Sequence, residues 1–415
     1  MKKLLHFVNP VYNVNVLQSE NGSVSASPIS GTYGTEVTLS NTPDEGFMLK
    51  SYELTGSTLY DGNKFKLKKS DVSVQGYFKR IIEWDTWDRT TFNDTSWQDT
   101  LVTDGSNNGV VTISKASQFV NFGNTVPSFY SSNSLSSLRA DITKHLIFND
   151  TTSLTTVQDV YSTLSGSGVK ANTSNYGLII GVPASMNLTI NGNGQVLTGL
   201  YCYTTANANA GSFMRADNSA NITLKDFTFD RCLFRSNSQA SAGFCMLNGG
   251  ATVNTTFLNF NKCAISSEST ASYQALAFGF LNNNSSSTYN HVQTSFYCCG
   301  FRGARSWSDY SCGDGGISNW SDTSFVSHWT DSTYISPVKL GGNGTMKLLA
   351  GNRASLTQYG TNTYYNLGTG ITGQGTLVNS VDDSLSTFNN TTLALSRPDF
   401  ALVLSNDNLY HAIEV

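Results

Sequence analysis

The sequence predicts an all-β protein: a small strand-rich module, then a chain wound into stacked coils, then a β-rich C-terminal region. Three observations carry this. The phrases TFDRCLFRS, NFNKCAISS and SFYCCGFRG begin at Thr228, Asn259 and Ser295, so one nine-residue pattern recurs at spacings of 31 and 36. Apolar and polar residues alternate through Tyr12-Val14-Val16, Val37-Leu39 and Val72-Val74, with Gly22, Gly31, Gly34, Gly46 and Gly62 punctuating turns. The composition is 39% hydrophobic, 12% aromatic and only 13% charged, with Ser, Thr, Asn and Gly dominating the remainder. Such a mixture suits many short strands joined by polar turns and supports few helices.

The 415 residues allow two or three domains. A net charge of -4 advertises no basic surface for nucleic acid. The start, MKKLLHFVNP, has too short an apolar core for a secretory leader. No apolar run approaches the ~20 residues of a membrane span. The expectation is therefore synthesis in a cytoplasm, with any exit by another route. The seven cysteines include no CxxC pair and no histidine at metal spacing, so they are expected to be reduced, buried and metal-free. No cofactor is indicated.

Residues 1–82 form the first expected domain. NGSVSASPISGTYGTEVTLSNTPDEGFMLKSYEL, followed by KFKLKKSDVSVQGYFK, carries a G-x-V turn, a proline loop, G-T-x-V-T-L, T-P-x-x-G-F and D-V-x-V-x-x-x-F. From Gly22 to Phe78 this resembles the divergent B-repeat of internalins and of many bacterial and phage surface proteins. One departure is Ser51, where that family usually places tryptophan. The resemblance implies a β-grasp-like spacer or attachment module without catalytic residues.

A connector over 83–165 follows. It holds Trp84, Trp87 and Trp97, and then Leu154, Val157, Val160, Tyr161 and Leu164 on one helical face, with Gly166 as the expected stop. The V-P-A turn at 182–184 and the L-T-I-N-G-N-G strand from Leu188 complete an entry that resembles pectate-lyase-like right-handed parallel β-helices, shared by phage tailspikes.

The coil itself is expected over 166–350, with 351–415 as the β-rich C-terminal region. In ITLKDFTFDRCLFRS the apolar positions Ile222, Leu224, Phe227, Phe229, Cys232 and Phe234 advance by two, three, two, three and two. Two-residue steps are strand alternation, and three-residue steps are corners. The pattern returns 31 residues on through Val253, Leu258, Phe260, Cys263 and Ile265 and a further 36 on through Tyr289, Thr294, Phe296, Cys299 and Phe301, and TSF recurs twenty-nine residues after Thr294, so the period is 29 to 36. A β-rich repeat of that length means a solenoid. Cys202, Cys232, Cys263 and Cys299 are expected to form one interior column about 4.8 Å apart. Asn218, Asn248 and Asn282 are expected to stack at a turn. Asp226 and Asp230 are expected to be solvated corner residues.

One stretch suits chemistry. Trp307, Asp309, Tyr310, Asp314, Trp320, Asp322 and Trp329 interleave aromatic rings with carboxylates, as a glycan-binding surface requires: rings stack on sugar faces and carboxylates accept from hydroxyls. The alternative is that these aromatics pack a loop or an intersubunit seam. No N-T-D, G-H-G or R-x-P-x-x-R motif appears, so no catalytic residue is carried over from polygalacturonases or pectate lyases. The resemblances together imply a structural part of a bacteriophage virion: a tailspike, fibre or capsid decoration. Its partners would be other virion proteins through the N-terminal module, two further copies in a homotrimer by analogy with phage spikes, and host surface polysaccharide. The rival readings are a depolymerase of tailspike type and a bacterial surface adhesin.

Overall fold

A computed structural model describes residues 9–205 apart from 45–46, 81–82, 175 and 183–184. It describes 210–303 apart from 218, 238–241, 248–249 and 269–286, within which only the backbone of 279–281 is placed. Beyond 303 it gives the backbone of short strands between 310 and 414. The class is all-β with two α-helices among the described residues, as the sequence predicts. The chain divides into two compact units, Met1–Ile82 and Glu83–Val415.

The first unit is two small sheets. In one, Tyr12–Val16 runs parallel to Val72–Arg80, which also pairs antiparallel with Phe47–Thr55. In the other, Glu36–Pro43 lies antiparallel between Gly22–Ser27 and Lys64–Lys66. Val37, Leu39, Phe65, Leu67, Val72 and Val74 fill the space between them. A Cβ on Gly22 would stand 2.7 Å from the ring of Phe78, which explains why glycine opens the motif and phenylalanine closes it. Ser51 is exposed at a bulge in the edge strand, so no core position is left empty by the missing tryptophan.

In the second unit, successive turns of chain each add a strand to a set of parallel walls. Wall A is built from Asn108–Ile113, Ser137–Ile142, the first halves of Asn187–Thr198, Asn221–Asp230 and Thr252–Asn261, then Thr288–Val292, Val326–Thr330 and Ser355–Tyr359. Wall B continues the three long strands past a bend and adds Ser295–Tyr297, Thr333–Ile335, Thr363–Tyr365 and Thr376–Leu377. Wall C stacks Tyr201–Thr204, Leu233–Ser236, Ala264–Ser267, Gly300–Gly303 and Val338–Gly341. Wall D stacks Ile179–Val182, Met214–Ala216, Cys245–Leu247, Gly279–Leu281 and Asp314–Gly316. The eight strands of wall A make seven steps, about 34 Å at ~4.8 Å each.

The corners explain the two-three spacing. The A-to-B bends at Asp226, Phe257 and Gln293 each have a single left-handed residue, with φ of 59°, 49° and 47°, while the Asn187–Thr198 strand bends on two, Asn193 and Gly194, at 49° and 75°. Each B-to-C bend has another at Gly199, Arg231, Lys262 or Cys298, with φ of 66°, 48°, 49° and 49°. One such residue turns the chain and inserts the extra position before the next inward side chain. The interior columns follow: Phe229, Phe260 and Phe296 stack with ring centroids 5.2 and 4.7 Å apart.

Cys232, Cys263 and Cys299 form the expected column, but Cys202 does not join them. Register pairs Cys202 with Phe234, and Leu200 occupies the place below Cys232. The offset between these coils is 32 residues, as Leu197 opposite Phe229 shows, rather than the 30 that the cysteine spacing suggests. Each thiol of the column donates to a carbonyl of the coil below: Cys232 to Leu197, Cys263 to Phe229 and Cys299 to Phe260, at 3.2 to 3.3 Å. Burial pushes the thiols of Cys202, Cys263 and Cys299 well above their usual range, so they do not ionise. Six cysteines are free and buried among the described residues.

Helix α1, Ala116–Ser132, packs Phe119, Val120, Phe122 and Val126 onto the core and lies against wall D, where Gly123 allows the approach of Leu178. Trp97 packs beside it, edge-on to Phe122 and Phe129, with its indole N–H donating to Asn121 Oδ1 at 2.9 Å. Helix α2, Val157–Ser167, is the predicted one. Thr156 caps it in a box with Asp159, and it ends at Gly168 rather than Gly166. Its Val157, Val160 and Leu164 cover Tyr201, Leu233 and Ala264 on the outer face of wall C.

Candidate functional site

The aromatic-acidic stretch is only partly placed. Trp307, Asp309, Trp320 and Asp322 lie outside the described residues. Tyr310 falls in the Tyr310–Ser311 strand, opposite Met346. Asp314 begins a strand of wall D, opposite Gly279. Trp329 lies in wall A opposite His291, the register position that Thr255 and Leu224 hold in the coils below. Backbone placement thus distributes Tyr310, Asp314 and Trp329 over three different sheets.

A cluster of ionisable groups fastens α2 to wall C. Glu268, just past the Ala264–Ser267 strand, accepts from Arg235 at 2.6 and 3.0 Å, from Ser266 at 2.8 Å and from the Tyr161 hydroxyl. Arg302, one coil further on, donates to Tyr161 at 2.8 Å and stacks on its ring at 5.2 Å. Arg235 covers the ring of Tyr203 at 5.0 Å. Burial raises the cost of charge on Glu268, but the hydrogen bonds from Arg235, Tyr161 and Ser266 outweigh it and hold the carboxyl below its usual range. Burial, and then the bond to Glu268, push Tyr161 up to about 12. Both carboxylate oxygens are engaged, so this acid is ionised and committed at neutral pH. Its chemistry is fastening.

This fastening has a pH signature. A carboxyl whose folded pKa is depressed contributes stability that is complete above its unfolded value, ~4.3, and lost as pH falls through the folded one. Denaturation midpoints followed from pH 7 to pH 3 should fall over that acidic window. Glu268→Gln should cost about 1–3 kcal/mol at pH 7 and should lack that part of the acid dependence. Equal acid profiles for both proteins would show that Glu268 does not hold the helix.

Two further groupings differ from what the sequence predicts. Asn218, Asn248 and Asn282 lie outside the described residues, but another asparagine ladder runs up wall A. There Asn254 donates to Asn221 at 3.0 Å and Asn290 donates to Asn254 at 2.8 Å. Alternation could have revealed it, because each asparagine sits directly beside an inward Ile222, Val253 or Tyr289 and so faces outward. Asp230 is not the solvated corner residue expected. It is buried, accepts from Asn261 Nδ2 at 2.8 Å and pairs with Arg231 at 2.7 Å. The reason is distant in sequence: the segment 149–156 lies over this corner, where Arg231 donates to Thr151 O at 2.9 Å and Lys262 to Thr155 O at 2.8 Å.

Among the described residues no group of three or more His, Cys, Asp or Glu side chains is arranged to hold a metal. No described helix is long and apolar enough to cross a membrane. No curated protein and no solved structure matches the chain. Residues 12–82 match the family model described as the divergent InlB B-repeat domain, and the N-terminal unit is similar to that family.

Proposed function

We propose that this chain is a structural component of a bacteriophage virion, an appendage or decoration protein whose coiled body contacts host surface glycans. The supporting observation is the pairing of a B-repeat-like spacer module with a stack of coils whose interior is filled by phenylalanine and cysteine columns. A stack of parallel coils joined in sequence to a spacer-like module suits display and attachment. In this reading residues 1–82 join the protein to other virion proteins, the body assembles as a homotrimer, and the 307–329 stretch supplies aromatic and acidic groups to sugar. Mass spectrometry of purified particles tests it: the chain should be present at fixed stoichiometry, and a form cut after Ile82 should be missing. A second reading, a bacterial surface adhesin, is favoured by the same B-repeat match. Recovery in the cell envelope, with none in particles, would select that reading and reject the virion role.

A further inference from the structure

Positions 150–168 leave the coil and return to it at one place. On the way out Phe148 N–H donates to the Thr198 carbonyl, and on the way back Ala171 N–H donates to the Tyr201 carbonyl, at 2.9 and 2.8 Å. Between them Asn149 closes the base. Its side chain accepts from Val169 N–H at 2.8 Å and donates to the Val169 and Gly199 carbonyls at 3.1 and 2.9 Å. The excursion carries α2 and crosses the B-to-C corners and the outer face of wall C. Among the described residues no backbone–backbone hydrogen bond joins 150–168 to the coil. It can lift without breaking a ladder.

Apolar contact and charge hold it down. Val157, Val160 and Leu164 cover Tyr201, Leu233 and Ala264. Arg231, paired with Asp230, donates to Thr151 O, and Lys262 donates to Thr155 O. Tyr161 donates to Glu268, which Arg235 and Ser266 also hold, and accepts from Arg302; Tyr201 faces this cluster from wall C. Two more carboxyls sit on the excursion itself. Asp150 accepts from the Thr152 N–H and hydroxyl at 3.0 and 2.7 Å, within the field of Arg89 and Arg231. Asp159 closes the N-cap box with Thr156 and also meets Thr155. The bonds from Thr152 hold Asp150 below the usual carboxylate range, and those from Thr156 do the same for Asp159. For Glu268 burial opposes that outcome but is outweighed by its hydrogen bonds.

We propose that positions 150–168 form an acid-released strap, which lifts as a unit about Asn149 and Val169 while the coil beneath it stays folded. The sign follows from the carboxyls. Each is held as a carboxylate in the closed strap, so its contribution is complete above the free value, ~3.9 for Asp and ~4.3 for Glu, and is lost as pH falls through the bound one. The stacked rings of Phe229, Phe260 and Phe296 and the backbone ladders around them carry no such group. Release bares Tyr201, Leu233 and Ala264, an apolar face that neutral pH keeps covered. An eleven-residue helix freed of that contact is marginal in water, so a lifted strap also loses α2.

Hydrogen exchange of the intact chain, read by mass spectrometry from pH 7 to pH 3 and corrected for intrinsic rates, tests it. Protection across Val157–Ser167 should fall about tenfold or more below pH ~4.5, while Asn221–Asp230 and Leu233–Ser236 keep theirs. Tyr161→Phe deletes the hydroxyl that links Glu268 to Arg302, and Glu268→Gln removes the charge. Each should lower the protection of α2 already at pH 7 and shrink its fall in acid, with the two strands unchanged. Parallel loss in helix and strands, as coil opening through buried His145 or His291 would give, overturns the proposal. So does protection of α2 that stays level down to pH 3.

Discussion

Phe260→Ala should destabilise the coiled unit by about 3–5 kcal/mol, measured by chemical denaturation of the intact chain. Phe260 is fully buried. It stacks between Phe229 and Phe296, with interplanar angles of 29° and 5°, and meets Phe244 edge-on with centroids 5.3 Å apart. Truncation deletes the middle ring of that stack. The hole cannot close easily, because backbone ladders fix the strands above and below at their own spacing. The cost is then the lost burial plus an unfilled cavity, at the upper end of core substitutions. In a stack whose coils touch only their neighbours, the damage should fall mainly on the coils around 229–296. A loss below about 1 kcal/mol would mean that Phe260 is not between those rings.

Gly199→Ala should cost about 2–4 kcal/mol, although it adds only one methyl group. Gly199 turns the chain from wall B to wall C with φ +66°, a conformation costly to most residues. A Cβ there would also stand 2.4 Å from the carbonyl oxygen of Asn149. Asn149 cannot simply retreat, since its side chain donates to the Gly199 and Val169 carbonyls at 2.9 and 3.1 Å and accepts from Val169 N–H at 2.8 Å. Gln293 supplies the contrast. It holds the same handedness with a side chain, so Gln293→Gly should change stability by no more than about 1 kcal/mol. Thermal melts of the two variants, side by side, check this asymmetry. Equal effects would mean that the corner tolerates a side chain everywhere.

The coil was legible because its corners leave a mark in the sequence. A left-handed residue at 226, 231, 257 or 262 pushes the next apolar residue one place further on, and a two-step rhythm becomes a three-step. Cys202 misled because the coil below Cys232 turns on Gly199 and Leu200, and a matching residue type two places later resembled a matching position. Helix α1 gave a weaker signal: Phe119, Phe122 and Val126 have helical spacing, but Gly123 and Pro127 interrupt it with poor helix formers. Its stability comes from packing on the end of the core. The Glu268 fastening and the buried Asp230 were invisible for another reason. Their partners lie 107 and 80 residues away, at Tyr161 and, through Arg231, at Thr151. Polarity alone marks such residues as surface until the fold brings a second layer over them. Four of the seven predicted glycan-contact residues fall outside the described chain, so the interaction surface they imply stays with the proposed function.

Residues far apart in sequence repeat at one short axial step in this stack. Spin labels introduced by a non-natural amino acid at Ser137 and Thr288 test it most directly, since buried native thiols then need no removal. These positions lie on the outer side of wall A, four steps apart through Asn187, Asn221 and Thr252. Pulsed electron-electron resonance should give a narrow distribution consistent with a backbone separation of about 19 Å, four steps of ~4.8 Å. A broad distribution, or one centred beyond about 40 Å, would contradict the stacked coil, because 151 residues of chain separate the two labels.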